Sequence, residues 1–152
     1  MNLVIGSDHG GFELKEKLKK FLQSQGHAVA DFGCYSLDAV DYPDIALLVS
    51  EAVQKNQYER GVLIDGTGGG MVIAANKVAG IRAVCAYNEF TGRCAMEHDD
   101  ANILCIGGKM LGELAAFETV KAWLVTPFGG GRHTRRLGKI LDIEKKYSKA
   151  PY

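Results

Sequence analysis

The chain has 152 residues, of which 47% are hydrophobic and 24% are charged, and these proportions are typical of one soluble globular domain. Its formal net charge is zero, which gives no electrostatic support to a role in binding nucleic acid or an anionic membrane surface. The N-terminus lacks the features of a secretory signal, and no apolar stretch approaches the ~20 residues that span a bilayer. We therefore expect a cytoplasmic protein with a single domain over residues 1–152.

Short apolar runs alternate along the chain with longer segments of helical periodicity. The runs predicted to be strands are 3–5, 28–32, 61–64, 82–86 and 103–106. The segments predicted to be helices are 12–25, 43–53, 71–78, 89–98, 112–124 and 135–146. Alternating elements with uniformly apolar strands predict an α/β fold, a Rossmann-like three-layer sandwich with a five-stranded parallel sheet. We expect the C-terminal helix and the last ten residues, which include Pro151, to fray or to dock on a neighbouring subunit.

Ligands of such sheets bind beyond the carboxyl ends of the strands, and this rule selects the segments to examine. The segments that follow predicted strands are 7–10, 65–70, 87–88 and 107–109. The helix after the fourth strand is predicted to end near His98, Asp99 and Asn102. We expect all of these residues to share one edge of the sheet.

A glycine-rich loop, DGTGGG at 65–70, joins the third strand to the next helix. Glycines let a ligand approach the backbone closely, and a helix N-terminus offers free N–H donors. Such a loop fits a phosphate, a carboxylate or an enolate oxygen. It matches neither a Walker loop nor a dinucleotide fingerprint, because it lacks the Gly-Lys-Ser/Thr of the first and the later acidic ribose ligand of the second. A tight strand-to-helix turn without a ligand is the alternative interpretation.

Two acid–histidine pairs are further candidates. Asp8 and His9 follow the first strand, where a carboxylate beside an imidazole can orient a hydroxyl and transfer a proton. Asp8 is also a candidate N-cap of the following helix. His98 and Asp99 stand at the predicted end of a helix, where a histidine can equally be a partner of the helix dipole.

A basic segment near the C-terminus is the last candidate. Arg132 and Arg136 are four residues apart, so on a helix they share one face and can clamp a phosphate. The alternative is an ordinary solvated helix start, although cations at that end oppose the helix dipole unless an anion is bound.

Five segments, in this order, resemble type B ribose-5-phosphate isomerases, a family that also includes the subunits of galactose-6-phosphate isomerase. They are SDHGGFELK, DYPD, GTGGGMVIAANKVAGIRA, EHDDANILCIGGKM and TPFGGGRHTRR, and they extend over nearly the whole chain. The resemblance implies an aldose–ketose isomerase that moves a proton between carbons 1 and 2 through an enediolate, without a cofactor or a metal. It also implies a homodimer or tetramer whose active sites contain residues of two subunits.

The same resemblance implies roles for individual residues. Asp8 and His9 would bind the ring oxygens and the phosphate region of the sugar, and Tyr42 would line the pocket. The anion hole would be provided by Gly66, Thr67, Gly68 and Gly70. His98, supplied by the second subunit, would open the furanose ring. Arg132 and Arg136 would hold the phosphate, and Lys109 occupies a position where a phosphate-side arginine is common.

Three positions depart from the family pattern. Many members have a catalytic cysteine before Gly-Thr-Gly, where this chain has Asp65, and another branch has a glutamate base where this chain has Met71. We predict that Asp65 is the base, because a carboxylate performs the same chemistry in triosephosphate isomerase; a role as substrate-hydroxyl ligand is the alternative. Asp99 replaces the usual asparagine in the pocket. Its added charge predicts that the preferred substrate need not be ribose 5-phosphate, and a tetrose, another pentose or a hexose phosphate are the alternatives.

Two other classes of function remain open at this stage. One is a non-catalytic subunit that binds a sugar phosphate within a heteromeric isomerase. The other is a metal-dependent phosphohydrolase, although the spacing of its potential ligands fits no recognised site. Those potential ligands are Asp8, His9, Asp65, His98 and Asp99.

Overall fold

The computed structural model describes residues 1–148, so the expectation for Pro151 lies outside the described residues. Strands and helices alternate along this part of the chain until the last strand, which two helices follow. The elements are β1 (Asn2–Ser7), α1 (Phe12–Ser24), β2 (Ala28–Asp31), α2 (Tyr42–Gln54), β3 (Arg60–Asp65), α3 (Gly69–Ala75), β4 (Ala83–Cys85), α4 (Glu89–Glu97), β5 (Ile103–Gly107), α5 (Glu113–Val125) and α6 (Arg132–Tyr147).

The strands form one parallel sheet in the order β2-β1-β3-β5-β4, and the predicted three-layer α/β fold is confirmed. The central strands β3 and β5 are buried along almost their whole length, which explains why their sequences are apolar without alternation. One apolar cluster, centred on Trp123 and Leu18, covers the sheet on the side of α1 and α5. The other, with Val49 and Met71, covers it on the side of α2 and α3.

The direction of the helices determines which residues meet at each edge of the sheet. A crossover helix in a parallel sheet starts at the carboxyl edge and returns to the amino edge. Accordingly, α4 ends beside the residues that begin other strands. The carbonyl of Asn102, just before β5, accepts from the Gly61 N–H at 2.9 Å, and its side-chain oxygen accepts from the Arg82 N–H at 2.8 Å. At about 3.3 Å per residue, the two edges are separated by about 15 Å.

The C-terminal helix α6 begins three residues earlier than predicted, so Arg132 is helical and not part of a loop. It follows Gly130 and Gly131, whose φ values of 60° and 56° favour glycine. α6 makes few contacts with other elements of its own chain, and Ile140 and Ile143 are exposed on it. Of the helices within residues 1–148, none combines the length and the apolarity that a membrane span requires.

Candidate active site

The carboxylate of Asp65 organises the glycine loop. Asp65 is the last residue of β3 and is only 4% exposed. Its Oδ1 accepts hydrogen bonds from the N–H groups of Thr67, at 2.8 Å, and Gly68, and its Oδ2 accepts from the N–H of Met71 at 2.9 Å. Gly68 has a φ of 87°, which the loop needs in order to bend back over the carboxylate. The loop therefore wraps around a buried anion that belongs to the chain itself.

Part of the predicted anion hole remains free. The N–H of Gly68 is already donated to Asp65, so it is not available to a ligand in this arrangement. The amides of Gly66 and Gly70 have no intramolecular acceptor within residues 1–148. The exposed hydroxyl of Thr67 accepts from the N–H of Gly69 at 3.3 Å, so its own hydrogen can be donated elsewhere. Two amides and one hydroxyl can thus stabilise an oxyanion at this edge.

The turn after β1 lies against this loop. Asp8 is buried, and its Oδ1 accepts from the N–H of Gly11 at 3.1 Å. The expected N-cap role of Asp8 is wrong, because the N-cap of α1 is Gly11 and Asp8 closes the turn that precedes it. A side chain at Gly10 would come within 3.2 Å of the Gly66 nitrogen, so the two turns are in close contact. His9 is exposed, and its Nδ1 accepts from the N–H of Val40 at 3.3 Å.

Tyr42 and Lys109 complete the carboxyl edge on either side of the loop. A Cβ on Gly70 would lie 2.9 Å from the Tyr42 ring and 3.2 Å from Asp65 Oδ2, so the ring and the carboxylate are both packed against this glycine. The N–H of Lys109 donates to the Gly66 carbonyl at 3.0 Å. Its methylene groups pass over Gly66, and its side chain is exposed, which adds a cation beside the free amides.

His98 lies at the opposite edge. It is the C-terminal cap of α4, and its ring stacks on His133 with 4.5 Å between ring centroids and 4° between planes. Arg132 and Arg136 are exposed one turn apart at the start of α6, the helix that carries His133. Asp99 is also exposed. Arg132 and Arg136 thus lie near the stacked pair of His98 and His133 at the amino edge of the sheet.

The expectation that His98, Asp99 and Asn102 share an edge with Asp8 and Asp65 is wrong. These residues follow α4, and a crossover helix returns the chain to the amino ends of the strands. One chain therefore carries two partial sites about 15 Å apart. The proposed phosphohydrolase ligands are divided between these edges, and within the described part of the chain no group of three or more His, Cys, Asp or Glu residues is placed to hold a metal ion.

Sequence reasoning missed two contributors to these partial sites. One is His133, which lies within the motif TPFGGGRHTRR, and no sequence signal indicates its contact with His98. The other, Cys85, is half-buried, and its thiol faces the Thr67 carbonyl at 3.8 Å. Burial raises the pKa of the Cys85 thiol, and the charge of Asp65 adds to this effect, although a hydrogen bond with Tyr87 opposes it.

Comparison with known proteins agrees with the motifs and the fold. The family model described as Ribose/Galactose Isomerase matches residues 3–140. The ribose-5-phosphate isomerase B of Escherichia coli K12 is 40% identical, and the match covers 95% of this chain and 97% of that protein. The structure of ribose-5-phosphate isomerase B from Clostridium thermocellum is 50% identical with a TM-score of 0.95, covering 97% of this chain and 99% of that one.

A further structure, ribose-5-phosphate isomerase B from Mycoplasma genitalium with bound ribulose 5-phosphate, is 41% identical with a TM-score of 0.92, covering 95% of this chain and 97% of that one. With the family model matching most of its length, the chain belongs to the Ribose/Galactose Isomerase family. The resemblance noted from the five motifs is confirmed, and the protein is an enzyme, an aldose–ketose isomerase of the sugar-phosphate type.

Proposed function

We propose that this member of the family interconverts ribose 5-phosphate, or a related aldose phosphate, with its ketose phosphate, and that Asp65 is the base. Asp65 removes the proton from carbon 2, and the electron pair forms the double bond of an enediolate. The proton then goes to carbon 1, while the hydroxyl proton of O2 moves to O1. The reaction is balanced within the substrate, so it needs no oxidant, no reductant and no cofactor.

The anion hole would stabilise the negative charge of the enediolate. Negative charge develops on O1 when the carbon 2 proton leaves, and preorganised donors stabilise such charge most effectively. The free amides of Gly66 and Gly70 are suited to this task, and the hydroxyl of Thr67 can relay the proton between the two oxygens. Lys109 adds a positive charge at the same edge.

The observation that carries the assignment of Asp65 is that its carboxylate lies within the same loop as the free amides, close to Gly70. Oδ2 receives one hydrogen bond, from Met71, and a carboxylate oxygen can accept a second proton donor on its other lone pair. This oxygen lies 3.2 Å from the point where a side chain on Gly70 would begin, so a substrate held by the Gly70 amide would be near it.

The hydrogen bonds of Asp65 also fit an alternative in which this residue only supports the loop. Three backbone donors on one carboxylate are also what a purely structural loop anchor would have. In that case the chain would bind a sugar phosphate as a non-catalytic subunit, or Asp65 would only hold a substrate hydroxyl. The experiment must therefore separate the acid–base role of Asp65 from its support of the loop.

A second copy of the chain completes the site in this proposal. His98 would open the sugar ring and Arg132 and Arg136 would hold the phosphate, but all three lie at the amino edge, about 15 Å from Asp65 of the same chain. The exposed apolar residues Ile140 and Ile143 on α6, a helix with few contacts to its own chain, support an interface between copies. We infer a homodimer, or a tetramer built from two such dimers, and a cytoplasmic location consistent with four free thiols.

The test is a panel of aldose phosphates, including ribose, allose, galactose and erythrose phosphates, with EDTA present. Ketose formation and incorporation of solvent deuterium are measured for the wild type, Asp65→Asn, Asp65→Ser and Asp65→Cys. Asparagine has one acceptor oxygen, whereas the loop presents donors to both carboxylate oxygens, so Asp65→Asn perturbs the loop as well as the base. Serine and cysteine are nearly equal in size but differ in acidity, which isolates the acid–base role.

Turnover of one substrate that Asp65→Ser and Asp65→Asn abolish and Asp65→Cys retains would support an isomerase with a base at this position. In Asp65→Cys the rising limb of the pH–rate profile should move towards the ordinary thiol value of about 8.5. Full turnover in Asp65→Ser would refute the assignment of the base. Tight binding of phosphosugars without turnover or deuterium exchange in the wild type would instead identify a binding subunit.

A further inference from the structure

The stacked pair of His98 and His133 joins two helices that carry different parts of the proposed site. His98 ends α4, and His133 lies in the first turn of α6 beside Arg132. The two rings are almost parallel, with 4° between their planes and 4.5 Å between their centroids, so they are stacked nearly face to face. The stack therefore joins the end of α4 to the first turn of α6, the helix that carries both arginines.

The backbone around this pair is also closely fitted. The N–H of Gly129 donates to the Glu97 carbonyl at 2.9 Å, and a Cβ on Gly129 would come within 2.9 Å of the same oxygen and 3.6 Å of the His133 ring. His133 is only 8% exposed, whereas Arg132 and Arg136 on the same helix are exposed. α6 thus turns His133 inward against α4 and the arginines outward.

The charges that face His133 come from both helices. They are His98 and Glu97 on α4 and Arg132 and Arg136 on α6. Burial lowers the pKa of His133, and His98 and the two arginines lower it further against the opposing effect of Glu97. A neutral His133 can lie face to face with His98 without charge repulsion and can remain there while His98 gains and loses a proton.

We propose that His133 is a positioning residue for ring opening: its ring fixes the orientation of the His98 imidazole relative to the phosphate-binding Arg132 and Arg136. This inference rests on the proposed function and adds a residue to it. Ring opening takes the proton from the anomeric hydroxyl and returns one to the ring oxygen as the bond between carbon 1 and that oxygen breaks. One correctly oriented imidazole can perform both transfers, so its angle to the sugar limits this step.

Ring opening can be separated from the enediolate step by the choice of substrate. Ribulose 5-phosphate is acyclic, because its phosphate blocks the hydroxyl that would close a furanose ring. Exchange of its carbon 1 proton with deuterated solvent requires the base and the anion hole but no ring opening. Turnover of ribose 5-phosphate, which is mostly cyclic, requires both steps.

The experiment compares His133→Ala, His133→Phe and the control Lys139→Ala, an exposed residue of α6 outside the site, in the intact protein. His133→Ala should lower kcat/KM for ribose 5-phosphate on the order of 10- to 100-fold, the loss expected from misplacing a catalytic group. The deuterium exchange rate at saturating ribulose 5-phosphate should stay within about twofold of the wild type, as it should in His98→Asn. His133→Phe keeps an aromatic face and should restore most of the turnover.

Any of four results would overturn the inference. Wild-type turnover in His133→Ala would mean that the stack does not matter to ring opening. Equal losses of turnover and exchange in a folded His133→Ala, or no rescue by His133→Phe, would mean a general structural role. If the wild type shows deuterium exchange and His98→Asn turns over ribose 5-phosphate as fast as the wild type, His98 has no role in ring opening. If the wild type showed neither turnover nor exchange, the proposed function would fail first, and this inference with it.

Discussion

Two inactive variants of this chain should restore activity when they are combined in one dimer. Asp65 and His98 lie at opposite edges of the sheet, about 15 Å apart, so one chain cannot bring both to the same sugar. Asp65→Ser removes the proposed base, and His98→Asn removes the proposed ring-opening group. In a mixed dimer with shared sites, one site receives both substitutions and the other receives neither.

The size of the recovery follows from counting. If subunits exchange randomly at equal concentrations, half of the dimers are mixed, and each mixed dimer has one intact site out of two. The mixture should therefore have about 25% of the wild-type activity, although each variant alone is nearly inactive. Turnover of ribose 5-phosphate is the assay, because it requires both residues.

The comparison needs a mixture in which subunits have exchanged, for example two differently tagged chains produced together and purified through both tags. That purification isolates mixed dimers and should raise the value to about 50%. Asp65→Ser combined with a chain that carries both substitutions is the matched control, because neither of its sites is intact. Activity no higher than this control would refute the division of the site between two chains.

Three further predictions concern ionisable groups that are buried or half-buried. Lys15 is fully buried, and its Nζ lies 2.7 Å from both carboxylate oxygens of Asp31. Lys15→Met should therefore lower the free energy of unfolding, measured in urea, by about 3 kcal/mol. The control Lys17→Met breaks an exposed ion pair with Glu113 and should change the free energy of unfolding little. Burial alone would raise the pKa of Asp31, but hydrogen bonds from Lys15 and Lys19 outweigh burial and lower the pKa. The wild type should therefore lose the stability that ionised Asp31 provides as the pH falls below the usual aspartate value of 3.8. Lys15→Met should lose less stability over the same pH range. Since burial and the charge of Asp65 raise the pKa of the Cys85 thiol, iodoacetamide should alkylate Cys85 only slowly at pH 7, and rapid alkylation of Cys85 there, detected by mass spectrometry, would contradict this.

The fold was predictable because the apolar pattern of each strand agrees with its burial in the folded sheet. The segments 61–64 and 103–106 are apolar without alternation, and they became the fully buried centre of a parallel sheet. Boundaries were less predictable where conformation depends on a few glycines. α6 starts at Arg132 because Gly130 and Gly131 adopt left-handed angles, which the sequence permits but does not require.

The edge at which His98 lies is predictable from the topology of a parallel sheet, although the expectation of one shared edge is wrong. A helix between parallel strands starts at their carboxyl edge and ends at their amino edge, so the end of α4 had to lie away from Asp65. The stack of His98 on His133 was different, because it joins residues 35 positions apart on helices whose mutual placement no local pattern determines. Local periodicity identifies elements, whereas contacts between distant elements require the folded structure.

The residue at position 65 determines how much of the glycine loop is left for the substrate. Asp65 uses the amides of Thr67, Gly68 and Met71, so its charge and its hydrogen bonds stabilise the loop from within. A cysteine at this position could not accept three such bonds with comparable strength, and the amide of Gly68 would then be free for the enediolate. In the proposed mechanism, the aspartate therefore occupies part of the anion hole while it holds the loop, and the charged sugar oxygen is left with the amides of Gly66 and Gly70 and the Thr67 hydroxyl. Asp65→Cys should accordingly change the stability of the loop and the binding of an enediolate analogue in opposite directions, because the same amides cannot serve both anions at once.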